Sequence, residues 1–125
     1  MPVKNRLAEL HPEITKWRRD IHQHPEILFD TKRTSALVAE KLRSFGVDEV
    51  VTGIGRTGVV AVIKGKTTSS GKTIGLRADM DALPIEEQTG LEYASKTPGA
   101  MHACGHDGHT AMLLGAAKYL SETRN

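Results

Sequence analysis

Apolar residues recur at steps of three and four near the start of the chain. Leu7, Leu10, Ile14, Trp17 and Ile21 form one stripe, with Lys16, Arg18, Arg19 and Asp20 mostly off it. That spacing predicts an amphipathic helix over residues 4–24. Pro12 interrupts the pattern, because an interior proline removes a hydrogen bond, so a start near His11 with Pro12 in the first turn is the other reading. His24 precedes Pro25, which favours extended geometry there and ends the helix. His22 and His24 are therefore read as a helix terminus rather than as a ligand pair. A second helix is predicted over residues 31–45. Leu37, Val38, Leu42 and Phe45 face inward, Asp30 or Thr31 caps the start, and Gly46 ends it.

The period then changes. Residues 49–52 and 58–64 are rich in Val and Ile and predict two strands, joined by a glycine-rich tight reversal over residues 53–58. No helix follows those glycines, which excludes a dinucleotide-binding turn. Residues 65–72 are small and polar, a surface loop. Residues 73–77 predict a short central strand that delivers Asp79 and Asp81 just past its carboxyl end, both on one side. From Gly108 or His109 to Glu122 the residues are apolar almost all round, which predicts a buried helix. The fold class expected is α/β.

Composition narrows the function. A chain of 125 residues is long enough for one domain with a modest core. Its formal net charge of +2 gives no reason to expect a nucleic-acid or membrane partner. One cysteine allows no internal disulfide, the amino terminus has no apolar signal core, and no apolar run is long enough to span a bilayer. A cytoplasmic protein is the expectation.

Candidate chemistry is concentrated in Met101-His102-Ala103-Cys104-Gly105-His106-Asp107-Gly108-His109, which holds the only cysteine and three of the six histidines. Thiolate and imidazole both suit a borderline-soft divalent ion, and on a loop Cys104 and His106 can converge on one metal. On a regular helix residues two apart diverge, so Gly105 and Gly108 matter as hinges. Asp107 is a candidate to bridge a second ion or orient a histidine. The following helix would aim its positive end at the site and favour the thiolate. Two other readings stay open: Cys104 as a small buried hydrophobe, and Cys104 as a nucleophile with His106 or His109 as its base.

The same stretch, extended to Thr110, resembles the signature of the amidohydrolase branch of the M20 metallopeptidase family. Hippurate hydrolases, N-acyl-amino-acid amidohydrolases and plant auxin-conjugate hydrolases belong to that branch. His22-Gln23-His24-Pro25-Glu26 and Leu76-Arg77-Ala78-Asp79-Met80-Asp81-Ala82-Leu83-Pro84 match it in the expected order. The resemblance implies a three-layer sandwich of helices around a mixed β-sheet. It also implies metal-dependent hydrolysis of the amide joining an acyl group to an amino acid, with one or two divalent ions, zinc or manganese and alternatively cobalt or nickel.

Residue by residue, the resemblance makes Cys104 and His106 metal ligands and Asp81 the aspartate that orients the site. Asp79 stands where the wider family's His-x-Asp motif has its histidine. The family's Glu-Glu pair, its general base and a metal ligand, lies well downstream of the cysteine loop. Glu86 and Glu87 are accordingly read as solvated or substrate-proximal surface. A hydrolytic zinc site needs about three protein ligands and an open position, and the loop offers two. The chain is therefore expected to be the amino-terminal part of a larger catalytic domain, inactive alone and lacking the dimerisation domain. The expected partner is a small N-acyl amino acid, with a homo-oligomer open for the full-length protein. A non-catalytic metal-binding fragment and a cysteine hydrolase are the alternatives.

Overall fold

The computed structural model describes residues 3–124. In chain order it has helix α1 (Val3–Gln23), helix α2 (Lys32–Ser44), strand β1 (Glu49–Ile54), strand β2 (Gly58–Val62) and helix α3 (His106–Thr123). The class is α/β, as expected. Among the described residues the sheet is a two-stranded antiparallel hairpin. No helix of the described residues is long and apolar enough to cross a membrane.

The predicted stripe of α1 is the face that packs. Leu10, Trp17 and Ile21 are buried and Ile14 is partly so, whereas Leu7, at the start of the stripe, is exposed. The helix runs through Pro12 rather than starting at it, because the stripe on both sides of the proline is held against α3. Trp17 sits in one core cluster with Val38 and Leu42 of α2 and Ala111, Leu114 and Ala117 of α3. Its ring lies 5.6 Å from that of Phe45. The hairpin lends Val50, Val59 and Ala61 to the same cluster. Its reversal requires glycine at position 58, where a Cβ would lie 2.5 Å from the Ile54 carbonyl oxygen.

Four local expectations change. Thr31 occupies the N-cap of α2 without a side-chain cap bond. The Glu26 carboxylate does that work from outside the helix, accepting the backbone N–H of Arg33 at 2.9 Å and of Thr34 at 2.7 Å. Residues 73–77 form no strand among the described residues, and Ile74 and Leu76 are exposed. A strand exists only as part of a ladder, and no described segment pairs with this one. Helix α3 begins at His106, not at Gly108 or His109, so His106 and Asp107 are helical. Nor is α3 buried all round, since Ala111, Leu114 and Ala117 are buried while Met112 is 62% exposed.

Three short links hold the chemistry-bearing segments together. Ala82 N–H donates to the Glu26 carbonyl at 2.7 Å, and Leu83 and Met101 exchange backbone hydrogen bonds at 2.9 and 3.0 Å. Thr110 Oγ1 donates to the Asp79 carbonyl at 2.8 Å. These pin the Asp-Met-Asp segment between the end of α1 and the start of α3.

Candidate metal centre

Gly105, with φ of +85°, turns the cysteine loop into α3 and leaves that helix without a side-chain cap. The left-handed angle is one a glycine adopts at little cost. From the first turn, His106 and His109 project from one face, as residues three apart do. Their rings stack with centroids 5.4 Å apart.

The Asp-Met-Asp segment meets that face. His106 Nδ1 donates to both the carbonyl oxygen and Oδ1 of Asp81, each at 2.9 Å. With Nδ1 carrying the proton, Nε2 is the nitrogen left with a lone pair. It faces Asp79, whose Oδ2 is 3.3 Å away, while Oδ1 of Asp79 meets His109 Nδ1 at 2.8 Å. The hydrogen bond from His109, joined by that of the Asp79 backbone N–H, outweighs the cost of burial and holds the Asp79 carboxyl below its ordinary range.

Asp79, His106 and His109 thereby offer ligand atoms within 4.8 Å of one another. Two imidazoles and a carboxylate suit a borderline divalent ion, so the donor set fits the metal that the sequence led us to expect. Of the three residues singled out from the sequence, His106 lies in this group and Asp81 holds its ring. Cys104 lies on the preceding loop with an exposed thiol, outside the group. His109 and Asp79, which sequence reasoning left without a role, are brought together with His106. Their spacing carried a signal, because a histidine three positions after His106 shares its face once the helix starts early enough.

A second polar cluster lies behind the first turn of α3. Asp107 is 1% exposed, and its Oδ2 accepts from His22 Nδ1 at 2.8 Å and Arg18 Nε at 3.0 Å. Burial alone would push this carboxyl up, but His22, the Gly108 N–H and Arg18 together hold it below the usual range. His22 Nε2 reaches Glu87 Oε1 at 3.0 Å. Glu87 is thus not solvated surface: its side chain is 3% exposed. Its carboxyl too is held low, the cost of burial being outweighed by Thr89, the Ser95 N–H and His22. His102 is buried nearby with neither ring nitrogen hydrogen-bonded among the described residues, and burial pushes its pKa down. His24 behaves as a helix-end group, with Nδ1 donating to the Asp20 carbonyl at 2.8 Å.

A histidine whose one nitrogen is fixed by a carboxylate and whose other faces further donors has the arrangement of a metal ligand. The comparisons with known proteins narrow the reading. Residues 75–125 match the model of peptidase family M20/M25/M40. The chain is 47% identical over 123 residues to an N-acyl-L-amino acid amidohydrolase of Geobacillus stearothermophilus, covering 98% of this chain and 32% of that relative. It is 56% identical over 115 residues to a hippurate hydrolase of Campylobacter jejuni, covering 92% of this chain and 29% of that relative. The crystal structure of Bacillus subtilis YxeP, described as a dinuclear metal binding peptidase from the M20 family, superposes with a TM-score of 0.80. That match has 41% identity and covers 94% of this chain and 32% of YxeP. The chain belongs to the M20 peptidase family, and it spans about a third of the length of the relatives it matches.

Proposed function

We propose that the protein carrying this chain is a metal-dependent amidohydrolase that cleaves N-acyl amino acids of the hippurate kind into a carboxylic acid and a free amino acid. The observation that carries the reading is the His106 ring, with Nδ1 held by Asp81 and Nε2 turned towards Asp79 and His109. Hydrolases of N-acyl amino acids and of hippurate among the similar proteins support the substrate class.

Within this reading Cys104 and His106 are metal ligands and Asp81 is the orienting carboxylate. Asp81 keeps the proton on Nδ1, so that Nε2 is available as a donor. His109 and Asp79 stand beside His106, where the Asp79 carboxylate would offset part of the charge of a bound cation. A bound zinc or manganese ion, one or two per site, would supply Lewis acidity, lowering the pKa of water and polarising the amide carbonyl. The proton acceptor and remaining ligands come from outside these 125 residues, so residues 1–125 are the amino-terminal part of the catalytic domain, inactive alone, with the dimerisation domain elsewhere. The protein is a cytoplasmic enzyme acting on a small soluble substrate.

The test is hydrolysis of hippurate and other N-acyl amino acids by the intact protein before and after chelation, with zinc or manganese added back. Loss on chelation and recovery with metal, together with failure of Cys104→Ala to recover, is the expected result. Activity that survives chelation but is abolished by alkylation of Cys104 would replace this reading with a cysteine hydrolase. Tight metal binding without turnover of any N-acyl amino acid would leave only a metal-binding protein.

A further inference from the structure

The cluster behind α3 is not explained by burial of apolar surface. It brings His22, Arg18, Asp107 and Glu87 from three separate segments into one enclosed contact. The His22 ring meets Asp107 Oδ2 through Nδ1 at 2.8 Å and Glu87 Oε1 through Nε2 at 3.0 Å, so each nitrogen has its own carboxylate partner. Both carboxylates are buried, and Asp107 Oδ1 has no hydrogen-bond partner among the described residues. Glu87 also accepts the backbone N–H of Ser95 at 2.9 Å, and Tyr93 stands edge-on to the His22 ring at 5.7 Å.

Asp107 is the neighbour of His106 and lies two positions before His109, in the same helical turn. It points into α1 while the two histidines point towards Asp79 and Asp81. Gly105 supplies no capping side chain, so on the side facing α1 the first turn is held by the grip of His22 and Arg18 on Asp107, alongside the packing of Ala111, Leu114 and Ala117 further along the helix. A twist of about 10° carries a side-chain atom about 6 Å from a helix axis through about 1 Å. Displacement on that scale is enough to spoil a catalytic geometry, at a cost of order a hundredfold.

We propose that His22 is a positioning residue for the metal centre: through Asp107 it sets the rotation of the first turn of α3, and with it the aim of the His106 and His109 rings. The contact with Glu87 is the secondary one, tying residues 86–96 to the end of α1. This inference rests on the reading that His106 holds metal, and the experiment separates the two.

The two amide isosteres of histidine divide its two bonds. His22→Asn places an amide N–H where Nδ1 was and keeps the bond to Asp107. His22→Gln places one near Nε2 and keeps the bond to Glu87. Metal affinity of the intact protein is measured by competition with a chromophoric chelator, beside the thermal midpoint of the metal-free form and with His106→Ala as control. His22→Asn is expected within about threefold of the parent, and His22→Gln weaker by about tenfold or more, the lower range for a residue that orients a ligand. Both should lose similar thermal stability, which a purely structural role would also produce. Equal affinities for the two variants, or affinities that simply follow the thermal midpoints, overturn the proposal. An unchanged affinity in His106→Ala overturns the underlying reading of the centre instead. If His22→Gln does not fold, Arg18→Met decides, because Arg18 is the other group on the same Asp107 oxygen and its side chain is 42% exposed. A loss of about threefold supports the proposal and an unchanged affinity rejects it.

Discussion

Replacing Asp81 by Asn in the intact protein tests how the centre is organised. The change leaves an oxygen where Oδ1 accepts from His106 Nδ1, and it leaves the backbone carbonyl of residue 81 accepting the same proton at 2.9 Å. The ring should therefore keep its place and its tautomer, and only the formal charge behind it is lost. Mutating a carboxylate behind a metal-bound histidine typically costs about 10- to 100-fold in affinity. The Asp81 side chain is 38% exposed, so water screens its charge and the lower end applies, about tenfold or ~1.4 kcal/mol. Asp81→Ala removes the side-chain acceptor as well, adding about 1 kcal/mol for a hydrogen bond, so about fiftyfold in all. Competition against a chromophoric chelator measures both, with hydrolysis of an N-acyl amino acid following the same order. An affinity unchanged in Asp81→Ala would show that the ring is held without this carboxylate. A loss beyond about a thousandfold in Asp81→Asn would make Asp81 a ligand rather than an orienting group.

Pro12 is exposed within α1, so Pro12→Ala should restore a helical hydrogen bond and raise stability by up to about 3 kcal/mol in urea unfolding; a destabilised variant would mean the proline serves the packing of α1. Gly58→Ala should cost more than about 1 kcal/mol, because its Cβ would lie 2.5 Å from the Ile54 carbonyl oxygen and the hairpin must open to admit it. In the metal-free protein, stability should fall on acidification in two stages. The unfolded chain protonates His102 first, near pH 6.5, because burial lowers the folded value; Asp79, Glu87 and Asp107, also held low, lose their contribution as pH falls from about 4.5 through their folded values. Urea midpoints between pH 7 and 3 measure this, His102→Leu should lack the first stage, and a midpoint flat from pH 7 to 5 in the parent would refute the assignment.

The helices were legible because their signal is periodic and local. The stripe of α1 and the hairpin around residues 53–58 are written in neighbouring residues; the hairpin formed as expected, and the stripe packs from Leu10 to Ile21 while Leu7 is exposed. Residues 73–77 show the limit of that logic, since five residues of suitable composition say nothing about whether a partner edge is present. The site divides in the same way. Type and motif pointed to Cys104, His106 and Asp81, of which His106 and Asp81 meet in the candidate centre while Cys104 lies outside it. His109 needed the start of α3, which Gly105 places two or three residues earlier than the apolar run suggests. Glu87 was misread because an acidic pair in a polar segment ordinarily faces water, and only the distant His22 explains why one of them is enclosed. That same distance bears on mechanism. His22 lies 85 positions before Asp107, so the aim of His106 depends on α1 docking against α3. Damage to the α1–α3 interface, far from any ligand atom, should therefore weaken metal binding before it unfolds the protein.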